Sequence, residues 1–417
     1  MDMTTRRGRM LTVLPAAALC VAGLAACGSS GPSASASNSP ASSAPASAAP
    51  ITVGFANNEG AAISIPAYRH GAEAAVKYIN SHGGINGTKI SLDECIDDGS
   101  PAGSVNCANK FVDAHAVVYD TGIDIGADAA IPVLSTAGIP YVTEFPWGTV
   151  QRSSPDSFAL GGGDTAFYAA PLQALKDVHA TTVGDFYYDG LPTTQGLLQF
   201  STAIAKKLGI KLVPIPIAAT NADWTSAVAT AMADHVNSMW GILQENDCIG
   251  MVSAARTAGF SGPISVGSCT AYIAALGAKA DDTYGLWPYY FPQLVSSAPL
   301  AVQGQIKTYT AAMDADGQSA NLNGFATASF ATMMELAEIM KTIHGPVTAA
   351  SLKTALGKAD VPGFLGPAVN CAHRPFGALE PAACNADMLM FKVTVGANGP
   401  VRTLVGTGWL NTAGLLG

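Results

Sequence analysis

The chain has 417 residues, 49% of them apolar and only 12% charged, with 44 glycines, 25 prolines and a mean hydropathy of +0.27. That length favours two domains over one, and so much core material at so little charge excludes a chain disordered throughout. A formal charge of -9, which grows once the three arginines of the first 26 residues are removed, excludes nucleic acid and anionic membrane surfaces as electrostatic partners.

Arg6, Arg7 and Arg9 precede an apolar stretch from Met10 to Ala26 that Pro15 interrupts, a charged leader and a short apolar run rather than a membrane span. Leu24-Ala25-Ala26-Cys27, followed by Gly28-Ser29-Ser30, resembles the lipobox of bacterial lipoproteins. The resemblance implies a signal over residues 1–26 and acylation of the Cys27 thiol at the new N-terminus. The alternative is an ordinary secretory signal cleaved nearby, with Cys27 a passenger; both readings put the mature chain outside the cytoplasm. Residues 27–50 then form a lipid anchor and a Ser/Ala/Pro linker, which has nothing to bury against the entropy of ordering a backbone. As a flexible tether it reaches roughly 25–30 Å. No later segment runs to 18 uninterrupted apolar residues, so the membrane is met through the anchor only.

From Ile51 the chain alternates. A strand over 51–55 leads to a helix marked by Ala72, Ala75, Val76 and Ile79 at i, i+3, i+4, i+7, ended by Gly83-Gly84-Ile85-Asn86-Gly87. Strand 89–96, helix 101–114, strand 116–120, helix 126–137 and strand 139–143 continue the pattern of a parallel sheet covered on both faces. A second run reads helix 166–178, strand 181–188, helix 195–208, strand 210–217, helix 223–235, strand 239–244, helix 248–258, strand 263–267 and strand 283–290. Residues 298–358 read as helical, with Phe330, Met333, Met334, Ala337 and Met340 as a buried face. The tail from 363 holds a Cys-closed loop and then a hairpin turning at Ala397-Asn398-Gly399.

Cys20 leaves with the signal and Cys27 is assigned to lipid, leaving Cys95, Cys107, Cys248, Cys269, Cys371 and Cys384. An even number outside the cytoplasm reads as disulfides. Six cysteines allow 15 connectivities, and grouping into local pairs makes Cys95–Cys107, Cys248–Cys269 and Cys371–Cys384 the simplest of them. A zinc site is not expected, since no pair has CxxC spacing and the histidines are scattered singly.

Several stretches together carry a family resemblance: Ala72-Glu73-Ala74-Ala75-Val76 with Ile79-Asn80 and Gly83-Gly84-Ile85-Asn86-Gly87; Asp97-Asp98-Gly99 with Pro101-Ala102; Ala130-Ile131-Pro132-Val133-Leu134 to Gly138-Ile139-Pro140; Tyr188-Asp189 with Gln195-Gly196; and Ala255-Arg256-Thr257-Ala258-Gly259. In this order the chain resembles a periplasmic binding protein of the leucine/isoleucine/valine-binding type from Ile51 onward. The resemblance implies an α/β, two-lobed type I periplasmic-binding-protein fold, each lobe a doubly wound parallel sheet, with three crossovers at the hinge. Lobe 1 would comprise 51–160 and 296–361, and lobe 2 would comprise 161–295 and 362–417. It further implies an extracytoplasmic, lipid-anchored monomer that captures a small polar or amino-acid-like ligand in the interlobe cleft, docks on an ABC-transporter permease, and needs no cofactor or metal.

Ligands of such sheets bind beyond the carboxyl ends of the strands. The corresponding loops hold Glu59, Asp124, Glu144, Phe145, Trp147, Tyr188, Asp189, Thr193, Glu245, Asn246, Ser268, Trp287 and Tyr289. Where amino-acid-binding relatives carry small hydroxyl residues, this chain has Ile123-Asp124 and Glu144-Phe145-Pro146-Trp147. Carboxylates facing a ligand carboxylate repel it, which argues against a simple α-amino acid in the usual orientation. The departures favour a cationic or neutral, aromatic-stacked ligand using Trp147 or Trp287 and the acids. Against this, Asp124 and Glu144 are equally read as solvated or helix-capping acids, and Trp287 and Tyr289 as core residues of a strand.

Gly161-Gly162-Gly163-Asp164-Thr165-Ala166, with Asp185 some way on, fits a dinucleotide fingerprint. A short preceding strand and an exported chain disfavour it, and a hinge is the better use of these glycines. An exported hydrolase finds no GxSxG, HExxH or P-loop in support. A ligand-sensing receptor of the same fold, without transport, stays open as the alternative function.

Overall fold

In the computed structural model, which describes residues 49–60, 64–190 and 194–416, the first elements alternate strand and helix. The leader, Cys27 and most of the tether lie outside the described residues. β1 (Ile51–Asn58), α1 (Pro66–Ser81), β2 (Ile90–Asp97), α2 (Pro101–Asp113), β3 (Tyr119–Thr121), α3 (Ala127–Ala137), β4 (Tyr141–Thr143), α4 (Thr149–Ser153) and β5 (Ser157–Ala159) follow in order. Their strands form a wholly parallel sheet, β2-β1-β3-β4-β5. Pro66 and Pro101 open α1 and α2, where the ring's fixed φ suits a first turn and its missing N–H leaves nothing unpaired. Ser100 caps α2 by accepting from the Gly103 N–H at 3.0 Å.

The second run comprises α5 (Gly163–Asp177), β6 (Thr182–Tyr188), α6 (Thr194–Leu208), β7 (Lys211–Ile217), α7 (Trp224–Ala233), β8 (Ser238–Gly241), α8 (Glu245–Thr257), β9 (Ile264–Ser265), α9 (Ala271–Leu276) and β10 (Thr283–Trp287). The helical region that follows comprises α10 (Leu300–Ala315), α11 (Gly324–Lys341) and α12 (Ala349–Leu356). Then come the small pair β11 (Asp360–Val361) and β12 (Val369–Asn370), the hairpin β13 (Asp387–Gly396) and β14 (Gly399–Asn411), and α13 (Ala413–Leu416). The second sheet runs β14-β13-β10-β9-β8-β6-β7. Its β7-β6-β8-β9-β10 portion is parallel, and the hairpin extends it in antiparallel pairing through β13 on β10. The second sheet is thus mixed where a parallel one was expected.

α10 and α11 return to the first sheet and pack on α1. At Gly71 the approach is so close that a Cβ would stand 2.1 Å from the Ala326 carbonyl, so glycine is needed there. The chain therefore passes between the sheets three times. At the first passage Gly162 and Gly163 have φ of 95° and 72°, and a Cβ on Gly163 would meet Glu380 at 2.7 Å. Glu380 accepts the N–H groups of Asp164 and Thr165 at 2.6 and 2.8 Å. That carboxyl fills the N-terminus of α5, where a dinucleotide would place its pyrophosphate, so the glycine pattern serves the crossover. The third passage is stitched alongside: the Ala159 N–H donates to Ala382 at 2.8 Å and the Cys384 N–H to Ala159 at 2.9 Å.

The disulfides are Cys95–Cys107, Cys248–Cys269 and Cys371–Cys384, the local pairs expected. Among the described residues no helix is long and apolar enough to cross a membrane, and no cluster of His, Cys, Asp and Glu forms a metal site.

Candidate ligand-binding cavity

β1 pairs with both β2 and β3, and β6 with both β7 and β8, so each sheet has its switch of strand order where loops diverge and leave a crevice. The two crevices face one cavity of about 350 Å³. From the first sheet come Ile65 and Tyr68 at the start of α1, Ile123 and Ile125 after β3, Phe145 and Trp147 after β4, and Phe325 of α11. From the second come Tyr168 of α5, Asp185 to Tyr188 at the end of β6, Ser201 of α6, Trp240 and Ile242 to Asn246 around the end of β8, and Ser268 and Cys269 after β9. The walls are largely apolar and aromatic, the usual lining for a small-molecule site.

The aromatic side chains are fixed by one another. Phe145 lies 4.6 Å from Trp147 and stacks at 4.5 Å on Phe167 of α5, joining the two bodies at the rim. Tyr168 meets Trp240 edge-on at 5.6 Å and Phe200 at 5.9 Å. Arg152 bridges the same junction, pairing with Asp164 at 2.6 Å and lying over the Phe200 ring at 5.4 Å.

Of the residues expected at the site, Phe145, Trp147, Tyr188, Glu245, Asn246 and Ser268 line the cavity. Two of these have committed polar ends. The Glu245 carboxylate accepts from the Thr270 and Ala271 N–H groups, both at 2.9 Å, and so holds the start of α9. The Tyr188 hydroxyl donates to Asp247 at 2.6 Å and accepts from the Gln244 N–H at 2.8 Å.

Six of the other expected residues lie away from the cavity lining. Asp124 is fully buried within the first body, accepting from Ser104 and from Tyr119 of β3, and its burial pushes the carboxyl up. Glu144 is buried too, accepting from the Tyr68 hydroxyl at 3.0 Å with its other oxygen unpaired; burial holds it well above the carboxylate range. Neither acid faces the cavity, and neither faces solvent. Glu59 pairs with Arg69 at 2.9 Å, outside the lining. Asp189 is exposed beyond the end of β6. Trp287 is core: its indole N–H donates to the Gly324 carbonyl at 2.9 Å, and its ring backs Phe325 at 5.1 Å. Tyr289 is core as well, donating to Glu335 at 3.2 Å. Thr193 lies outside the described residues.

Asp185 is the acid that lines the cavity in their place. It is 5% exposed and accepts from Ser201 at 3.0 Å; burial pushes its carboxyl up to about 6, while Ser201 and the nearby Trp240 indole pull it back toward ionisation. Strand and helix positions such as Asp185, Tyr168 and Ser201 escape a reading confined to loops. The available signal was an acid at an inner position of a strand otherwise buried.

Residues 50–388 match the family described as Periplasmic binding protein. None of the curated proteins compared matches the chain. Among solved structures, an extracellular ligand-binding receptor from Verminephrobacter eiseniae superimposes with a TM-score of 0.71 at 18% identity, over 83% of this chain and 98% of that one. A fatty acid ABC transporter substrate-binding protein from Thermomonospora curvata gives 0.70 at 15%, over 86% and 92%. A branched-chain amino acid transporter substrate-binding protein from Streptococcus pneumoniae, in complex with isoleucine, gives 0.67 at 16%, over 86% and 99%. These neighbours are binding proteins rather than enzymes, and at such identities they speak for the fold alone. With its two sheets facing one cavity and the family match spanning most of its length, the chain belongs to the periplasmic binding protein family.

Proposed function

We propose that this chain is an extracytoplasmic solute-binding protein of an ABC importer, held at the membrane through lipid on Cys27, and that it captures a compact, largely apolar ligand. The observation that carries this reading is the aromatic-walled cavity beyond the carboxyl ends of strands from both sheets. The lobes would be 51–160 with 296–361 and 161–295 with 362–417, and the protein acts as a monomer. A ligand touching both walls favours the closed arrangement by its extra contacts there, and this difference in affinity drives closure. The closed form then docks on a permease. Structural neighbours named for fatty acid and branched-chain amino acid transport support the transport class without giving the ligand. A sensing receptor of the same fold is the second reading, favoured by the neighbour named as an extracellular ligand-binding receptor.

The test is a thermal-shift series on the chain from Ser29 onward, which retains the whole compact unit Ser47–Gly417, with its disulfides intact. Apolar amines, alcohols, acids, amino acids and sugars are compared. A ligand at about 100 times its dissociation constant adds about 2.7 kcal/mol, and compact apolar compounds are expected to raise the melting temperature while sugars do not. No rise with any compound overturns the binding-protein reading of this cavity.

A further inference from the structure

The charge around the cavity is one-sided. Its lining includes two carboxylates, Asp185 and Glu245, and among the described residues no Lys, Arg or His. Glu245 is spent on the backbone of α9, as described above. Asp185 is not spent in this way. It receives the Ser201 hydroxyl on one oxygen, and the Trp240 indole N–H, buried without a hydrogen-bond partner, lies close enough to favour its charge without completing a bond. Both are neutral donors. The group's raised but sub-neutral titration leaves it ionised near neutral pH, a buried charge with no cation beside it.

Such a charge disfavours any ligand whose polar end is an acid, because nothing basic in the lining offsets the repulsion. It favours a ligand that brings the missing cation. The walls agree, since an ammonium is attracted to the faces of Tyr168, Trp240 and Trp147 while an attached hydrocarbon body is buried against them. The cavity's size, near the lower end for small-molecule sites, suits a single ring or a short branched chain.

We propose that Asp185 is the anchor of this cavity and that the protein selects a compact organic amine, its ammonium on Asp185 and its apolar body against the aromatic walls. The proposal rests on the reading of the cavity as the ligand site.

Calorimetric titration tests it with two matched sets: phenethylamine, 2-phenylethanol and phenylacetate, and isopentylamine, 3-methylbutanol and 3-methylbutanoate, against the wild-type protein and Asp185→Asn. In the wild type at least one amine is expected to bind roughly tenfold or more tighter than its alcohol, with the matching acid weakest. In Asp185→Asn that amine loses at least about tenfold while the alcohol keeps its affinity, which shows the cavity intact. An amine no tighter than its alcohol, or unaffected by Asp185→Asn, overturns the proposal. Tight binding of an acid with no binding of either amine overturns it and leaves the solute-binding reading standing, whereas silence from both sets and from the wider solute series overturns both.

Discussion

Burial holds the Glu144 carboxyl well above its usual range, which favours the protonated form, and among the described residues its side-chain donor is the Tyr68 hydroxyl at 3.0 Å. A protonated acid and an amide have nearly the same shape and polarity. Glu144→Gln is therefore expected to cost under about 1 kcal/mol in urea unfolding, whereas Tyr68→Phe strips a buried acid of its donor and costs about 1–3 kcal/mol. Equal losses from the two variants would show Glu144 to be ionised. Asp120 in β3 is a starker case, with both oxygens buried and unpaired between strand neighbours Phe55 and Val142. This is the scale at which the sequence was least legible. An acid in a loop after a strand is ordinarily exposed, and these are turned inward by partners that no local pattern marks, Tyr68 for Glu144 and Ser104 with Tyr119 for Asp124. Trp147 and Phe145 were legible because a large apolar group in such a loop has few places to go other than a crevice wall.

At the level of elements, α5 depends on a residue it does not contain. Glu380, in the loop closed by Cys371–Cys384, accepts two N–H groups from its first turn and is itself fully buried beside Asp164. Burial pushes both carboxyls up, Glu380 further through the charge on Asp164, while Arg152 holds Asp164 back. Replacing Glu380 by Ala leaves the two donors unpaired, about 1–3 kcal/mol for each buried group, and is expected to lower the denaturation midpoint clearly. Glu380→Gln, which keeps an acceptor, should recover much of the loss; if it does not, charge rather than hydrogen bonding holds the helix. Most strands and helices were readable from their periodicity, among them the helix stripe Ala72, Ala75, Val76 and Ile79, all buried as expected. The stitching of the Cys loop to β5 was not, because backbone pairing between residues 159 and 383 leaves no periodic trace. Nor did the strand expected over 283–290 run its length: it ends at Trp287, where Tyr289 and Tyr290 turn into the core.

For the molecule as a whole, the buried acids set how stability follows pH. Asp97 is pushed up to about 7 and Asp185 to about 6, chiefly by burial, and Asp120, Asp124, Glu144, Glu335 and Glu380 are raised as well. Each binds a proton in the folded state that the unfolded chain releases near pH 4. Their contribution is fully present below the unfolded value and is lost as pH rises through the folded one, so these groups weaken the fold between about pH 4 and 7. Acids with lowered values, such as Asp156 beside Lys353, act in the opposite sense but only below that window. The melting temperature is expected to be higher at about pH 5.5 than at pH 8, and a flat or rising profile across that interval would show that the folded state holds no extra protons on these acids there. Two facing sheets and a returning tail were foreseeable from the alternation of elements and the family resemblance together. The antiparallel edge was foreseeable only as an isolated hairpin, since no local pattern tells which sheet it joins.

The return of α10 and α11 to α1 has a consequence for assembly in time. A chain made from its amino end completes all five strands of the first sheet by Ala159, yet the helix whose Ala326 presses on Gly71 is not synthesised until the entire second set of strands up to Trp287 has been laid down. Throughout that interval Tyr68, Gly71 and Tyr78 lack the α11 side of their packing, a face awaiting its cover. Order of synthesis and order of burial are thus mismatched, and a nascent chain cut short before Gly324 carries a complete first sheet whose α1 lacks its α11 cover.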